Sequence, residues 1–281
     1  MLHSPPCVQE ENGQESQTAP ESINGAESHS NGQPEDVGAT DKATPTRQEI
    51  DDEDAASSDC VFIDAAENHL DHRDPSVFLT PGPQSRLSAS NADRIKDEID
   101  EHRNSLETVT AVFEWKHSHF HTDNVGGAYV GTLTVDDIME RGSLSGCHDH
   151  GIVLASVLRE YGLPAVMVDA AGMQWASDYN AGTTERFIGH IFLEIWLGTE
   201  WILLDSTSGE YLVGYDPCDP VIPVTKSIEP LGYYALLKGL DPADYGVHSI
   251  DDLKTHMDSF PARAETTDLT FPAYEQHRLQ V

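Results

Sequence analysis

The sequence predicts an α+β domain behind a long polar N-terminal segment, on three observations. Ser143 to Tyr161 reads as a polar turn feeding a helix, because Ile152, Leu154, Ala155, Val157 and Leu158 recur at helical spacing. Gly189–Leu197 and Glu200–Thr207 are β-rich runs separated by Gly198-Thr199, the signature of a hairpin. Residues 1 to about 60 hold almost no large apolar side chain. Such a segment cannot bury enough surface to offset the entropy of ordering, and is expected to be disordered.

Charge narrows the class of partner. The chain has 281 residues, 16 Lys+Arg and 49 Asp+Glu, a formal net charge of −33. Residues 1–100 hold 6 basic and 22 acidic residues and the rest 10 and 27, so the acidity is not confined to the N-terminal part. A field of this sign disfavours nucleic acid and anionic membrane surfaces. Only six basic residues are lysine, and an acidic, lysine-poor surface suits high salt, where self-repulsion is screened. The four cysteines, Cys7, Cys60, Cys147 and Cys218, form no disulfide framework. No signal-peptide pattern or spanning apolar run is present. The expectation is a soluble cytoplasmic protein.

Taken in order, residues 1–73 read as the acidic tail, with Val61-Phe62-Ile63 as a short strand or docking segment. Order is expected from Asp74, with a loop at Pro81-Gly82-Pro83. Ser90 or Asn91 is placed to cap a helix over 92–103, and a second helix spans Ser105–Ser118, with Trp115 in the core. His117, His119 and His121 would share one side of an extended segment and could ligate a metal there. The preferred reading is a helix end running into a strand. Thr134 and Asp137 form a capping box over a helix to Arg141, ended by Gly142. Ser145 is the expected N-cap of the central helix, which Gly162 and Pro164 stop. A buried strand at 165–168 precedes a polar loop at 169–186 and then the hairpin. Beyond it come a Pro-rich loop, a strand or short helix at 232–239, a helix starting at Ser249, and a loosely docked last twenty residues.

Within this frame three side chains point to thiol chemistry. Cys147 falls in the first helical turn, where orphan N–H groups and the helix dipole stabilise a thiolate. Standing alone it reads more readily as a small buried hydrophobe. A two-residue turn at Gly198-Thr199 pairs 197 with 200 and hence 192 with 205. Asp205 then lies on the same face as His190, diagonally adjacent. A thiol nucleophile needs such a set: a base to take its proton and a carboxylate to orient that base.

Here the sequence resembles a family. Gly146-Cys147 and the apolar helix ending Leu158-Arg159-Glu160-Tyr161-Gly162-Leu163-Pro164-Ala165 look like the nucleophile segment of the transglutaminase-like superfamily. Gly189-His190-Ile-Phe-Leu-Glu194 looks like its histidine strand, and Trp201-Ile-Leu-Leu-Asp205-Ser206-Thr207 like its aspartate strand. The resemblance covers roughly residues 74–215. It implies a papain-like α+β core with the nucleophile helix packed on an antiparallel sheet. It also implies acyl transfer or hydrolysis at an amide through a thioester, on a peptide or protein substrate and without a cofactor. Cys147 would be nucleophile, His190 base and Asp205 orienter, with residues 216–281 a C-terminal extension packed on the core. His148-Asp149-His150 depart from the family's usual residues and feed a rival, a zinc site of Cys147, His150, His190 and Asp205. A non-catalytic binding module on the same fold is the other alternative. Oligomeric state cannot be read from the sequence.

Overall fold

The computed structural model describes residues 70–100, 104–123, 125, 127–265 and 269–280. The readings for residues 1–69, including the acidic tail and Val61–Ile63, lie outside the described residues. Order is already present at Leu70, because His72 docks between Phe78 and Trp201 and reaches Glu194.

Helix α1 (Ala89–Glu98) starts a few residues before the expected 92–103. Ser88, not Ser90 or Asn91, is its N-cap, accepting from the Asn91 N–H while its own N–H and hydroxyl donate to Asp136. Helix α2 (Ser105–His119) is capped by Asn104. Strand β1 (His121–Thr122) and helix α3 (Val135–Arg141) follow. The Thr134–Asp137 capping box over α3 forms in both directions, and Gly142 ends it at φ 68°, a conformation that favours glycine. Strand β2 (Ser143–Leu144) pairs parallel to β1 and delivers the chain to α4 (Cys147–Glu160).

The main sheet is built from β3 (Ala165–Gly172), β4 (Gly189–Trp196), β5 (Trp201–Asp205), β6 (Glu210–Val213), β7 (Val221–Ile222), β8 (Tyr233–Gly239) and β9 (Glu275–Arg278). Their order is β7-β8-β3-β4-β5-β6-β9, antiparallel throughout. Helix α5 (Met173–Asn180) leaves β3, while α6 (Ile250–Met257) and α7 (Phe260–Ala264) lie near the C-terminus.

Two segments differ from the sequence reading. Residues 169–186 are not one polar loop: β3 runs through Asp169 to Gly172, and α5 follows. Asp169 made the strand look finished, yet its carboxylate is satisfied inside the core by His148 and Tyr245, which removes the penalty of burying it. The last twenty residues are not merely a loose tail, since β9 adds a charged edge strand to β6.

Helix α4 is buried from Cys147 through Arg159. It lies so close to the sheet that a Cβ at Gly151 would stand 2.7 Å from Ile191 Cγ2. Ile191, Leu193 and Ile195 share the core with α4, whereas Phe192 joins Val166, Val168 and Leu203 on the other sheet face. Arg159 ties the helix end down by donating to the carbonyls of Ala165 and Leu240 at 2.7 and 2.8 Å.

Candidate active site

The start of α4 is fixed by a carboxylate one turn inside it. The N-cap is Gly146, without a side-chain bond. Ser145 is not the cap, because its N–H (2.8 Å) and hydroxyl (2.7 Å) both donate to Asp149. Arg141 braces the same carboxylate. Cys147 is thereby held at the first helical position and is only 3% exposed. Its Sγ lies 3.9 Å from His148 Nδ1. Cys147 and Cys218 are both disulfide-bonded. The reading of no disulfide framework is corrected at these two cysteines, and the Cys147 thiol becomes available only on reduction.

The hairpin has the register read from its turn. Leu197 N–H donates to the Glu200 carbonyl at 3.0 Å, and Phe192 pairs with Asp205. His190 and Asp205 therefore share a face, and His190 Nε2–H donates to Asp205 Oδ1 at 2.9 Å. That bond leaves Nδ1 as the basic nitrogen of the neutral ring. Asp205 also accepts from the Thr207 N–H and the Ser208 hydroxyl, each at 2.9 Å, so it both turns the chain and orients the ring. Lys226, from the loop between β7 and β8, donates to Asp205 Oδ2 at 2.7 Å and lies 3.2 Å from His190 Nε2. Phe192 and Tyr233 pack against the imidazole.

These contacts set the charges. Burial pushes the Asp205 carboxyl up, but His190 and Lys226 outweigh it and hold the group well below the usual carboxylate range. Burial, and next the Lys226 ammonium, lower the His190 imidazole against the pull of Asp205.

Two further histidines of α4 are also engaged. His148 Nε2 lies 3.0 Å from Asp169 Oδ1, and Tyr245 donates to the same carboxylate at 2.6 Å. His150 Nδ1 lies 3.0 Å from Lys116 Nζ, which also donates to the Ser206 carbonyl. Burial brings the Lys116 ammonium down to about 7. Burial and then Lys116 hold His150 well below its ordinary value.

Among the described residues no group of three or more His, Cys, Asp or Glu is placed to hold a metal ion. The zinc alternative fails on this geometry: His150 faces Lys116, and His190 is spent on Asp205. His117, His119 and His121 do not line one strand either. His117 and His119 end α2, with Nδ1–H on the carbonyls of Phe113 and Trp115, whereas His121 faces Asp123. The sequence reading missed Lys116, Asp169, Lys226 and Tyr245. Their one signal was rarity for the lysines, which stand out in a chain so poor in them.

One stretch of the chain, residues 93–206, matches the family model of the transglutaminase-like superfamily. It contains Cys147, His190 and Asp205 but not Lys226 or Tyr245. Among solved structures, a protein from Cytophaga hutchinsonii described as a "putative cysteine protease" is similar at 18% identity and a TM-score of 0.43, over 63% of this chain and 50% of that one. The chain thus spans about half the length of that protein. No curated protein matches it. Among the described residues, no helix is long and apolar enough to cross a membrane.

Proposed function

We propose that the reduced protein is a thiol enzyme acting at an amide bond of a peptide or protein, through Cys147, His190 and Asp205. The Cys147 thiolate attacks the carbonyl carbon and a C–S bond forms. The C–N bond breaks, and the amine leaves with a proton delivered by imidazolium. Water or a second amine then displaces the thiolate. The Cys147 N–H, at the first position of α4, is assigned as one oxyanion donor. Hydrolysis is favoured over cross-linking, because no acidic run at calcium-loop spacing is present in the sequence.

The observation that carries this reading is the His190–Asp205 bond on the face read from the turn. Its test is intact-mass detection of a thioester adduct on reduced protein offered a panel of activated esters and peptide amides. An adduct lost in Cys147→Ala supports the reading. No adduct on any substrate, with the thiol shown to be free, overturns it. One observation favours the second reading, a binding module: the nucleophile sulfur is buried in this structure. A protein that stays inert after full reduction belongs to that class. The charge of −33 supports function in high salt, checked by a thermal midpoint that rises with added KCl.

A further inference from the structure

We propose that His148 is a second base for Cys147, so that two imidazole–carboxylate pairs serve one sulfur. The inference rests on the thiol-enzyme reading and adds a residue to it. His148 Nδ1 lies 3.9 Å from Cys147 Sγ. Its other nitrogen lies 3.0 Å from Asp169 Oδ1. Because a carboxylate only accepts, Nε2 carries the hydrogen, and the lone pair of the neutral ring sits on Nδ1, facing the sulfur. This is the tautomer that Asp205 imposes on His190. The Tyr245 hydroxyl donates to Asp169 at 2.6 Å, so the carboxylate is held from a third element.

This chain of contacts satisfies the buried Asp169, and it also leaves the Nδ1 of His148 on the side of the sulfur. His148 is 3% and Asp169 1% exposed, and a buried carboxylate aligned with an imidazole stabilises imidazolium. The step is a proton transfer alone: the S–H bond of the reduced thiol breaks, an Nδ1–H bond forms, and the thiolate is left beside imidazolium. The titratable groups facing His148 are Cys147 on its own helix, Asp169 on β3, Tyr245 on the 242–245 turn and His190 on β4. Of these, His190 opposes the second positive charge.

The test is iodoacetamide alkylation of the reduced protein from about pH 4 to 10, read by peptide mass spectrometry, with Cys7, Cys60 and Cys218 as internal controls. Wild type, His148→Gln, Asp169→Asn and His190→Ala are compared without substrate. The expected result is a wild-type midpoint well below the free-thiol value of about 8.5. It moves up toward that value in His148→Gln and, by less, in Asp169→Asn. A depressed wild-type midpoint left unmoved by both variants overturns the His148 inference and leaves the enzyme reading standing. A wild-type midpoint at the free-thiol value overturns both. If His148→Gln does not fold, Asp169→Asn decides on the same criterion.

Discussion

Strand β4 carries the same trio of side chains twice on one face. Near its C-terminal end, Glu194 takes His72 at 2.7 Å, the Tyr215 hydroxyl at 2.9 Å and the Lys238 ammonium. At its N-terminal end, His190 meets Asp205 and Lys226. Each trio is a histidine, a carboxylate and a lysine. They differ in enclosure. The Lys238 side chain is 1% exposed and Glu194 0%, whereas the Lys226 side chain is 17% exposed and sits on a loop. The first trio closes a core and its charges cancel with nothing left to do. The second stands at the strand end, where the hairpin and the β7–β8 loop meet. The same chemistry is a clamp when its lysine is sealed and a candidate engine where the lysine, Lys226, reaches the surface while His190 and Asp205 stay buried.

Asp205→Asn should separate the two most sharply. It keeps the shape of the side chain but loses the charge that fixes the His190 tautomer. The expected loss in acyl-transfer rate is roughly 10⁴-fold, as for the amide of a triad carboxylate. Steady-state kinetics on whichever ester first gives an adduct measures it, and a loss under tenfold would mean Asp205 only turns the chain. Glu194→Gln should do the reverse. Burial works against the Glu194 charge, yet Lys238 and His72 hold the carboxyl down at about 2. Its removal strands the Lys238 ammonium in the core, at a cost of roughly 3–5 kcal/mol. Urea unfolding reads that loss, and the Cys147 alkylation profile of the folded variant should stay as in wild type.

The fold was legible where a local rule decides the outcome. The Gly198-Thr199 turn set the pairing of Phe192 with Asp205, and Thr134 with Asp137 set α3. Period two then placed His190 beside Asp205. What stayed hidden depends on contacts between distant segments. Asp169 looks like a strand breaker until His148 and Tyr245 are brought to it. Ser145 looks like a cap until Asp149 takes its hydroxyl. Lys226 lies on an irregular loop that no periodicity addresses. Of the six lysines, Lys116, Lys226 and Lys238 all point their ammonium at a buried carbonyl, imidazole or carboxylate. In an acidic chain the scarce cations marked the interior networks, a signal that net charge alone conceals.

The smallest expected effect is the most specific to the open trio. In wild type, burial and neighbouring lysines keep His150 and His190 below their ordinary 6.5. The unfolded chain therefore takes up protons first, and stability declines as pH falls from about 6.5 toward the folded values of these rings. A second decline belongs to the carboxylates. Glu194 and Asp205 contribute stability above their unfolded values of 4.5 and 3.8, and lose it as pH falls toward their depressed folded values. Lys226→Met acts on both steps at once. Without the ammonium, His190 rises toward 6.5 and its share of the first decline shrinks. Asp205 loses one of the two charges that hold it down, so its share of the second decline, which still begins near 3.8, shrinks and ends at higher pH. The Glu194 trio is untouched, and its share of the curve should not move. Imidazole NMR titration of His190, with urea unfolding at stepped pH, checks the three movements together. An unmoved His190 resonance in Lys226→Met would show that the lysine merely braces Asp205 and leaves the ring's proton alone.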